Sequence, residues 1–471
     1  MSIIFRKEIN SALKDKRLLI LFGIMLVLLS VALFSGYNRF ASLKAEKEEL
    51  NEANRKDWEN QELKHVHSAG HYGTYIFTPQ PLLSFFDIGI QNYTGSSIRL
   101  EAHLQQDAQF SNAMESSSGI RFGNMSIALV LQILLPLLLI FMCFNAVSYE
   151  RENGTLKLLL IQGASVKSIL WQKIAAYTVI ALSILLTVLL VSVLFPVVNG
   201  FPFTTETLWQ ITLLFFFYGV FYFIVIAASI AISAMSRTSK NSLMALLGCW
   251  LFFIILLPKY AANLGDDLYP LPSKKAMQLG IAKEIKNGVD GHNPNDKRSE
   301  IFVDSILKAY KVDTISKLPI NIDGLLMQAD EDYKAIVTNK YFGTLYNQIT
   351  RQNKVTQYAS LVNPFIALKD LSMGICKTDY SNQVIFEQQV QDYRLYMMRY
   401  LNEYMSYNTK AGDYDTKATR DVFTKLKKFN YKPLTATQSL SNYSLLIVAF
   451  LLWIIVATVL VNFASKKLNI I

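Results

Sequence analysis

The chain has 471 residues, 52% hydrophobic and 17% charged, with a positive mean hydropathy and a formal net charge of +10. Its apolar residues gather in runs of about 17–25, the length a helix needs to cross roughly 30 Å of hydrocarbon, which excludes an ordinary soluble globule. Of the three cysteines, Cys143 and Cys249 fall inside apolar runs and leave Cys376 alone, so no disulfide framework is expected.

In chain order, residues 1–17 form a short amphipathic stretch with Ile3, Ile4, Phe5, Ile9 and Leu13 set against Arg6, Lys7, Lys14 and Lys16. Such a stretch lies along a membrane surface before the chain turns inward. The first span is predicted at 18–36. A cleaved signal peptide is the alternative for this run, but its length and the lack of a small-x-small site argue for a span. A segment predicted outside follows at 37–124. It opens with a charged helical run over 43–64 that is expected to continue the first span outward, changes to loop or short strand around His71, and is again helix-like over 98–114. Further spans are predicted at 125–148, kinked by Pro136, at 174–197, closed by Pro196, at 209–235, at 242–257, ended by Pro258, and at 443–465. Between them lie an inner segment at 149–173 and a second large outer segment at 258–442. In that outer segment, 301–312 and 386–407 have helical periodicity. The second of these carries Val390, Tyr393, Tyr396, Met397, Tyr400, Leu401 and Tyr404 as one stripe, which reads as core or a partner-facing helix surface.

This arrangement puts both chain ends and the 149–173 and 236–241 segments inside. The inner segments then hold thirteen bases against four acids, while the outer ones are nearly balanced. The excess beside one membrane face is the positive-inside pattern, so nucleic-acid binding is the weaker reading of the net charge. None of the six predicted spans contains an Asp, Glu, Lys, Arg or His, and ion-coupled transporters usually need such groups. Gln132 and Asn145, the main polar groups there, serve helix packing equally well. No phosphate-binding loop is present; Gly163-Ala164-Ser165-Val166-Lys167-Ser168 lacks the glycine cradle. No nucleophile–base pair or paired-carboxylate signature points to an enzyme.

The inner segment is the most informative. It reads as a short amphipathic helix, a break at Gly163, a Ser165 cap and a second helix. Glu150 and Glu152 are either helix N-terminal charge or a docking point for a basic cleft on a cytoplasmic partner. The pattern Glu150-x-Glu152-x-Gly154-Thr155-Leu156, then Lys157 and leucines, with Lys173 heading the next span, resembles the hallmark of ABC-2 type permeases. The N-terminal amphipathic stretch and the six spans are similar as well. The resemblance implies that Glu150, Glu152, Gly154, Thr155, Leu156 and Lys157 belong to the helix that seats on a nucleotide-binding subunit. Outer motifs resemble a subgroup of bacterial ABC-2 permeases with a large uncharacterised outer domain. They are His71-Tyr72-Gly73-Thr74-Tyr75, Pro81-Leu82, Phe86-Asp87-x-Gly89, Gly95-x-Ser97-x-Arg99-Leu100-Glu101-Ala102-His103 and Asn363-Pro364-Phe365. That subgroup often has paired histidines where this chain has Asn382-Gln383.

Four of the five histidines, His65, His67, His71 and His103, fall in the first outer segment. They are candidate ligands for Zn²⁺ or Cu²⁺, but no cysteine joins them and a capping or hydrogen-bonding role is the favoured reading, with pH sensing a third.

The expected fold is an all-α membrane protein with six transmembrane helices of ABC-2 exporter type. Two loops would build a mainly helical, or α+β, extracytoplasmic domain. The expected function is the non-catalytic permease subunit of an ATP-binding cassette exporter in a bacterial cytoplasmic (inner) membrane. The chain would bind no cofactor, ATP and Mg²⁺ belonging to a separate cytoplasmic ATPase. Its other partners would be a second permease protomer, identical or paralogous, and membrane lipids, with a periplasmic protein as a further candidate. The rival reading is a mechanotransmitter that moves or releases a periplasmic partner while nothing crosses the bilayer. A receptor without an ATPase comes third, because the inner loops have no room for a signalling domain.

Overall fold

The computed structural model describes residues 3–111, 125–293 and 296–468. Six helical segments are long and apolar enough to cross a membrane: Lys16–Asn60, Ile127–Glu152, Val166–Val198, Thr205–Met235, Ser239–Leu268 and Ser444–Leu468. They are called here the first to sixth spans. The fourth lies at the centre, packed against the third, the sixth, the second and the Pro364–Cys376 helix. Small residues let it do so: Ala227, Ala231, Ala234, Ser229 and Ser233 are all buried. A Cβ at Gly219 would come within 2.9 Å of Leu182 on the third span. The outward faces of the peripheral spans stay apolar and exposed, as at Val27, Val31, Leu190, Phe252, Ile455 and Val459. Such contiguous apolar surface suits lipid. The protein is an all-α, multi-pass membrane protein.

Prolines shape two spans. Pro136 has no N–H for the carbonyl four residues back, and the second span widens into a π turn at Val130–Leu134 just before it. Neighbouring spans supply donors to that turn: the Tyr222 hydroxyl to Leu131 O at 2.9 Å and Trp250 Nε1 to Ile133 O at 3.2 Å. In a membrane each such carbonyl needs a partner. Pro258 does not end the fifth span, contrary to the sequence expectation. A π turn at Leu251–Leu256 absorbs the lost hydrogen bond and the helix continues over Leu257–Leu268. There it packs against the long Ile322–Ala359 helix.

Beyond one end of the bundle, most of the described residues of 61–111 and 269–432 interleave into a distal domain, while the Pro364–Cys376 helix packs into the bundle core. The first span runs without a break from Asp15, whose side chain accepts from Arg17 N, to Asn60. The charged run is the far half of the same helix, as expected, although the helix stops at Asn60 and not at Lys64. Its end reaches the domain's core, where Trp58 packs edge-on against Phe423. The stretch expected as loop or strand around His71 is a helix, Val66–Tyr72, followed by strand β1, Thr74–Phe77. The helix-like reading of 98–114 is overturned: β2 (Gly95–Glu101), β3 (Leu104–Gln105) and β4 (Gln109–Ser111) are strands, and 112–114 lie outside the described residues. The true period is two, since Ile98, Leu100 and Ala102 are buried while Arg99 and Glu101 are less so. β2 pairs antiparallel with all three other strands, with Tyr75 opposite Arg99 in β1.

The sheet packs on the Tyr380–Asn408 helix, whose tyrosine stripe divides. Val390, Met397 and Leu401 are core, Tyr393, Tyr400 and Tyr404 cover it, and Tyr396 is exposed. This helix lies against Ile322–Ala359 so closely that a Cβ at Gly324 would meet Asn402 O at 2.6 Å. A buried ion pair joins the two helices: Arg394 Nη1 lies 2.8 Å from Glu331 Oε2, with side chains 2% and 1% exposed. Burial pushes the Glu331 carboxyl up, but His103 and Arg394 outweigh it and hold it at about 2. Replacing Arg394 by Met strands this carboxylate and should cost about 3–5 kcal/mol. The double variant Arg394→Met/Glu331→Leu should recover most of that loss in thermal unfolding of the detergent-purified protein.

Candidate functional site

At the opposite, basal end of the bundle the second span breaks. After Cys143 the chain turns and restarts as the short helix Ser148–Glu152. The backbone N–H groups of Val147 and Ser148 that the break exposes donate to Ser233 Oγ of the fourth span, at 3.1 and 3.2 Å. Gly154, at φ 73°, then reverses the chain into Thr155–Ile161. Ser165, whose Oγ accepts from Ser168 N, starts the third span.

Side chains from Ser148–Glu152 and its neighbours reach four other elements. Glu150 is buried and points inward, its Oε1 lying 3.1 Å from Lys173 Nζ of the third span and 2.7 Å from Lys7 Nζ of the N-terminal Ile3–Lys14 helix. Lys173 is 1% exposed and also pairs with the buried Glu8 at 2.6 Å. Glu8 accepts a second bond, 2.7 Å, from the Tyr177 hydroxyl. Two lysines thus meet two glutamates, so the formal charges balance, while Glu150 Oε2 has no hydrogen-bond partner among the described residues. Burial draws the Lys7 ammonium down, but its contacts with Glu150 outweigh that and raise it above its usual value. Arg151 donates to Ser236 O and Ala234 O, both at 2.7 Å, satisfying carbonyls at the end of the fourth span. Glu152 accepts from Ser239 N and Oγ, at 3.1 and 2.7 Å, in the first turn of the fifth span.

These positions correct two expectations. Glu150 is internal and so offers no docking group, while Glu152 stays exposed and is hydrogen-bonded to Ser239. The spans are also not free of charge, because the third begins at Val166 and takes Lys173 with it. Of the other candidate coupling residues, Thr155 Oγ1 donates to Glu150 O at 3.2 Å and Leu156 is buried. Lys157 is exposed, as are Tyr149, Leu158 and Ile161 nearby, the last at 82%. This apolar surface ringed by Lys157 was not singled out from the sequence, although the leucine run contained it.

A second polar cluster joins the distal domain to the bundle. Asp87, buried, accepts from Ser372 Oγ and, at 3.5 Å, from Gln132 Nε2. Gln132 also donates to the Tyr218 hydroxyl at 2.8 Å, which lies 3.0 Å from Ser372 Oγ. Gly89 N donates to Asp87 Oδ1, and a Cβ at Gly89 would come within 2.3 Å of Thr378 O. That close approach gives a physical role to the glycine of the Phe86-Asp87-x-Gly89 motif.

The histidines divide. His65 caps the Val66–Tyr72 helix, its Nδ1 accepting from His67 N, and its ring lies against Tyr414. His67, His71 and His103 come together, joined by His292 from the second distal segment. Burial and the neighbouring imidazoles push His67 down to about 3. Asn382 and Gln383 lie elsewhere, with Asn382 donating to Asp379.

Residues 103–257 match the family model described as ABC-2 family transporter protein, and residues 276–432 match a domain of unknown function, DUF3526. No curated protein matches the chain. The chain thus carries an ABC-2 family transporter region followed by a second matched domain, consistent with an ABC-2 permease that has an extra domain, and the match supports a transport-permease role. The second, third and fourth spans and the fifth as far as Leu257 fall in the first match, and most of the second distal segment falls in the other.

The buried lysine generates a prediction. Lys173→Met leaves Glu8 and Glu150 without their shared cation and should cost about 3–5 kcal/mol. The N-terminal helix should loosen, read as faster tryptic cleavage after Lys14 and a lower thermal midpoint in detergent.

Proposed function

We propose that this chain is the permease subunit of an ATP-driven exporter, worked by a separate cytoplasmic ATPase that seats on residues 149–165. The clamped Ser148–Glu152 helix carries this reading, because it ties the N-terminal helix to the third, fourth and fifth spans. A push on the segment would reach four elements of the bundle at once through charge-assisted bonds. Grip would come from the apolar surface of Tyr149, Leu158 and Ile161 with Lys157 beside it, and Glu150, Glu152, Gly154, Thr155 and Leu156 would transmit the push. ATP and Mg²⁺ would bind the ATPase. Both chain ends would lie in the cytoplasm of a bacterium, with the protein in its inner membrane and the distal domain outside; the basic excess at the basal end supports this orientation. The exposed apolar faces of the spans would meet lipid and a second protomer, identical or paralogous.

A second reading has its own support. The first span is one helix of 45 residues from the basal end to the distal core, and such a rod could carry motion outward with nothing crossing the bilayer. The distal domain would then act on a periplasmic protein.

Co-purification with the cognate ATPase and assay of stimulated ATP hydrolysis test the assignment. Leu158→Asp with Ile161→Asp should weaken assembly about tenfold or more, a hot-spot loss of about 1.4 kcal/mol. Glu152→Gln, whose side chain serves the fifth span, should leave assembly near wild type. Intact assembly and stimulation in the double Asp variant would refute the coupling surface. Substrate efflux from vesicles holding the complex would favour transport. Its absence despite full ATP turnover would favour transmission.

A further inference from the structure

Four imidazoles from separate parts of the chain converge on one point of the distal domain. His67 and His71 stand one helical turn apart on Val66–Tyr72, His103 sits in the tight turn between β2 and β3, and His292 comes from the loop before Lys297–Tyr310. One ring nitrogen of each can be chosen so that all four lie within 4.8 Å of one another. His67 Nε2 is 3.1 Å from His71 Nε2 and 3.2 Å from His292 Nε2. In a tetrahedral site with metal–nitrogen bonds of about 2.0–2.1 Å, neighbouring ligand nitrogens stand about 3.3–3.4 Å apart. These two spacings are within a few tenths of that, and the wider ones, none above 4.8 Å, would contract as the four rings close on an ion.

Hydrogen bonding alone accounts poorly for the arrangement. Each neutral imidazole has one donor and one acceptor, yet here the single Nε2 of His67 is within hydrogen-bond distance of two other Nε2 atoms at once. His103 Nε2 is buried and has no hydrogen-bond partner among the described residues. Its Nδ1 faces Glu331 at 3.0 Å and Asp330 at 3.2 Å, close enough for an ion pair though not aligned as a hydrogen bond. Carboxylates behind a histidine fix its ring and leave Nε2 for a metal. Glu331 is held in turn by Arg394. The backbone at His103 is left-handed, at φ 64°, and its N–H donates to Glu331. The turn is therefore built around presenting this ring. His71 and His292 are exposed, so an ion can enter without opening the fold.

We infer that His67, His71, His103 and His292 form a tetrahedral site for a divalent transition-metal ion of the Zn²⁺ type. The ion clips the two distal segments together, since three ligands come from 61–111 and one from the loop at 292. His65 is not a ligand; its Nδ1 is committed to the helix cap.

The test uses the full-length protein, purified in detergent and stripped with chelator. Calorimetric titration with Zn²⁺ should give one ion per chain, and Co²⁺ should give the intense visible absorption of a tetrahedral centre. His292→Ala removes an exposed loop side chain, and His71→Ala an exposed one on the helix. Each should weaken Zn²⁺ binding about tenfold or more, whereas His65→Ala binds like wild type. Zn²⁺ should raise the thermal midpoint of the wild type but not of the His67→Ala/His71→Ala/His292→Ala variant. Binding no tighter than in that triple variant would overturn the site. So would unchanged affinity in His292→Ala or a six-coordinate Co²⁺ spectrum. None of these outcomes bears on coupling to an ATPase.

Discussion

An ammonium group buried in a low-dielectric bundle must be paired, and the basal half of this protein is arranged around that requirement. Lys173 lies one helical turn below Tyr177 on the third span, almost fully covered. Its two carboxylates come from distant parts of the chain, Glu8 and Glu150. Pairing therefore holds the N-terminal helix under the bundle and pins the restarted helix after the second span. Removing a partner from such a cluster is costly, whereas an intact one contributes little net stability compared with apolar packing. What it supplies is position: the segment that follows is fixed relative to four elements.

The same constraint, that polar groups away from water must find partners, explains the irregular points of the spans. The π turns before Pro136 and Pro258 free carbonyls, and Tyr222, Trp250 and Asn363 supply the donors. Ser233 does the same for the break after Cys143. At the other end, Asp87 descends from the distal domain to meet Gln132, Tyr218 and Ser372. The distal domain is thus anchored through a buried polar cluster as well as through the continuous first span. Motion at the basal end and motion of the distal domain have two physical routes between them.

Much of this was legible in the amino-acid order. Six long apolar runs announce six helices because hydrocarbon thickness fixes their length. The extension of the first span was visible as a charged helical run, and the segment after the second span as a glycine-punctuated amphipathic stretch. The helix-like reading of 98–114 failed because Ile98, Leu100 and Ala102 alternate over too few residues for the two-residue period to stand out. Pro258 misled because a proline ends a helix only where no π turn and outside donor accommodate it. The two acids at 150 and 152 were visible, but not which groups hold them, since their partners lie 143 residues earlier and 87 residues later in the chain.

The number and approximate place of the spans, the side of the bundle that gathers basic charge and the family resemblance were set by sequence, because these depend on local hydropathy, charge and short motifs. Tertiary structure alone decided which charges are buried and which histidines meet. His65 looked as good a ligand as His67, yet it became a helix cap, and His292, more than 180 positions from His103, took the fourth place. Partners so far apart are chosen by how the two distal segments pack, and no local pattern encodes that.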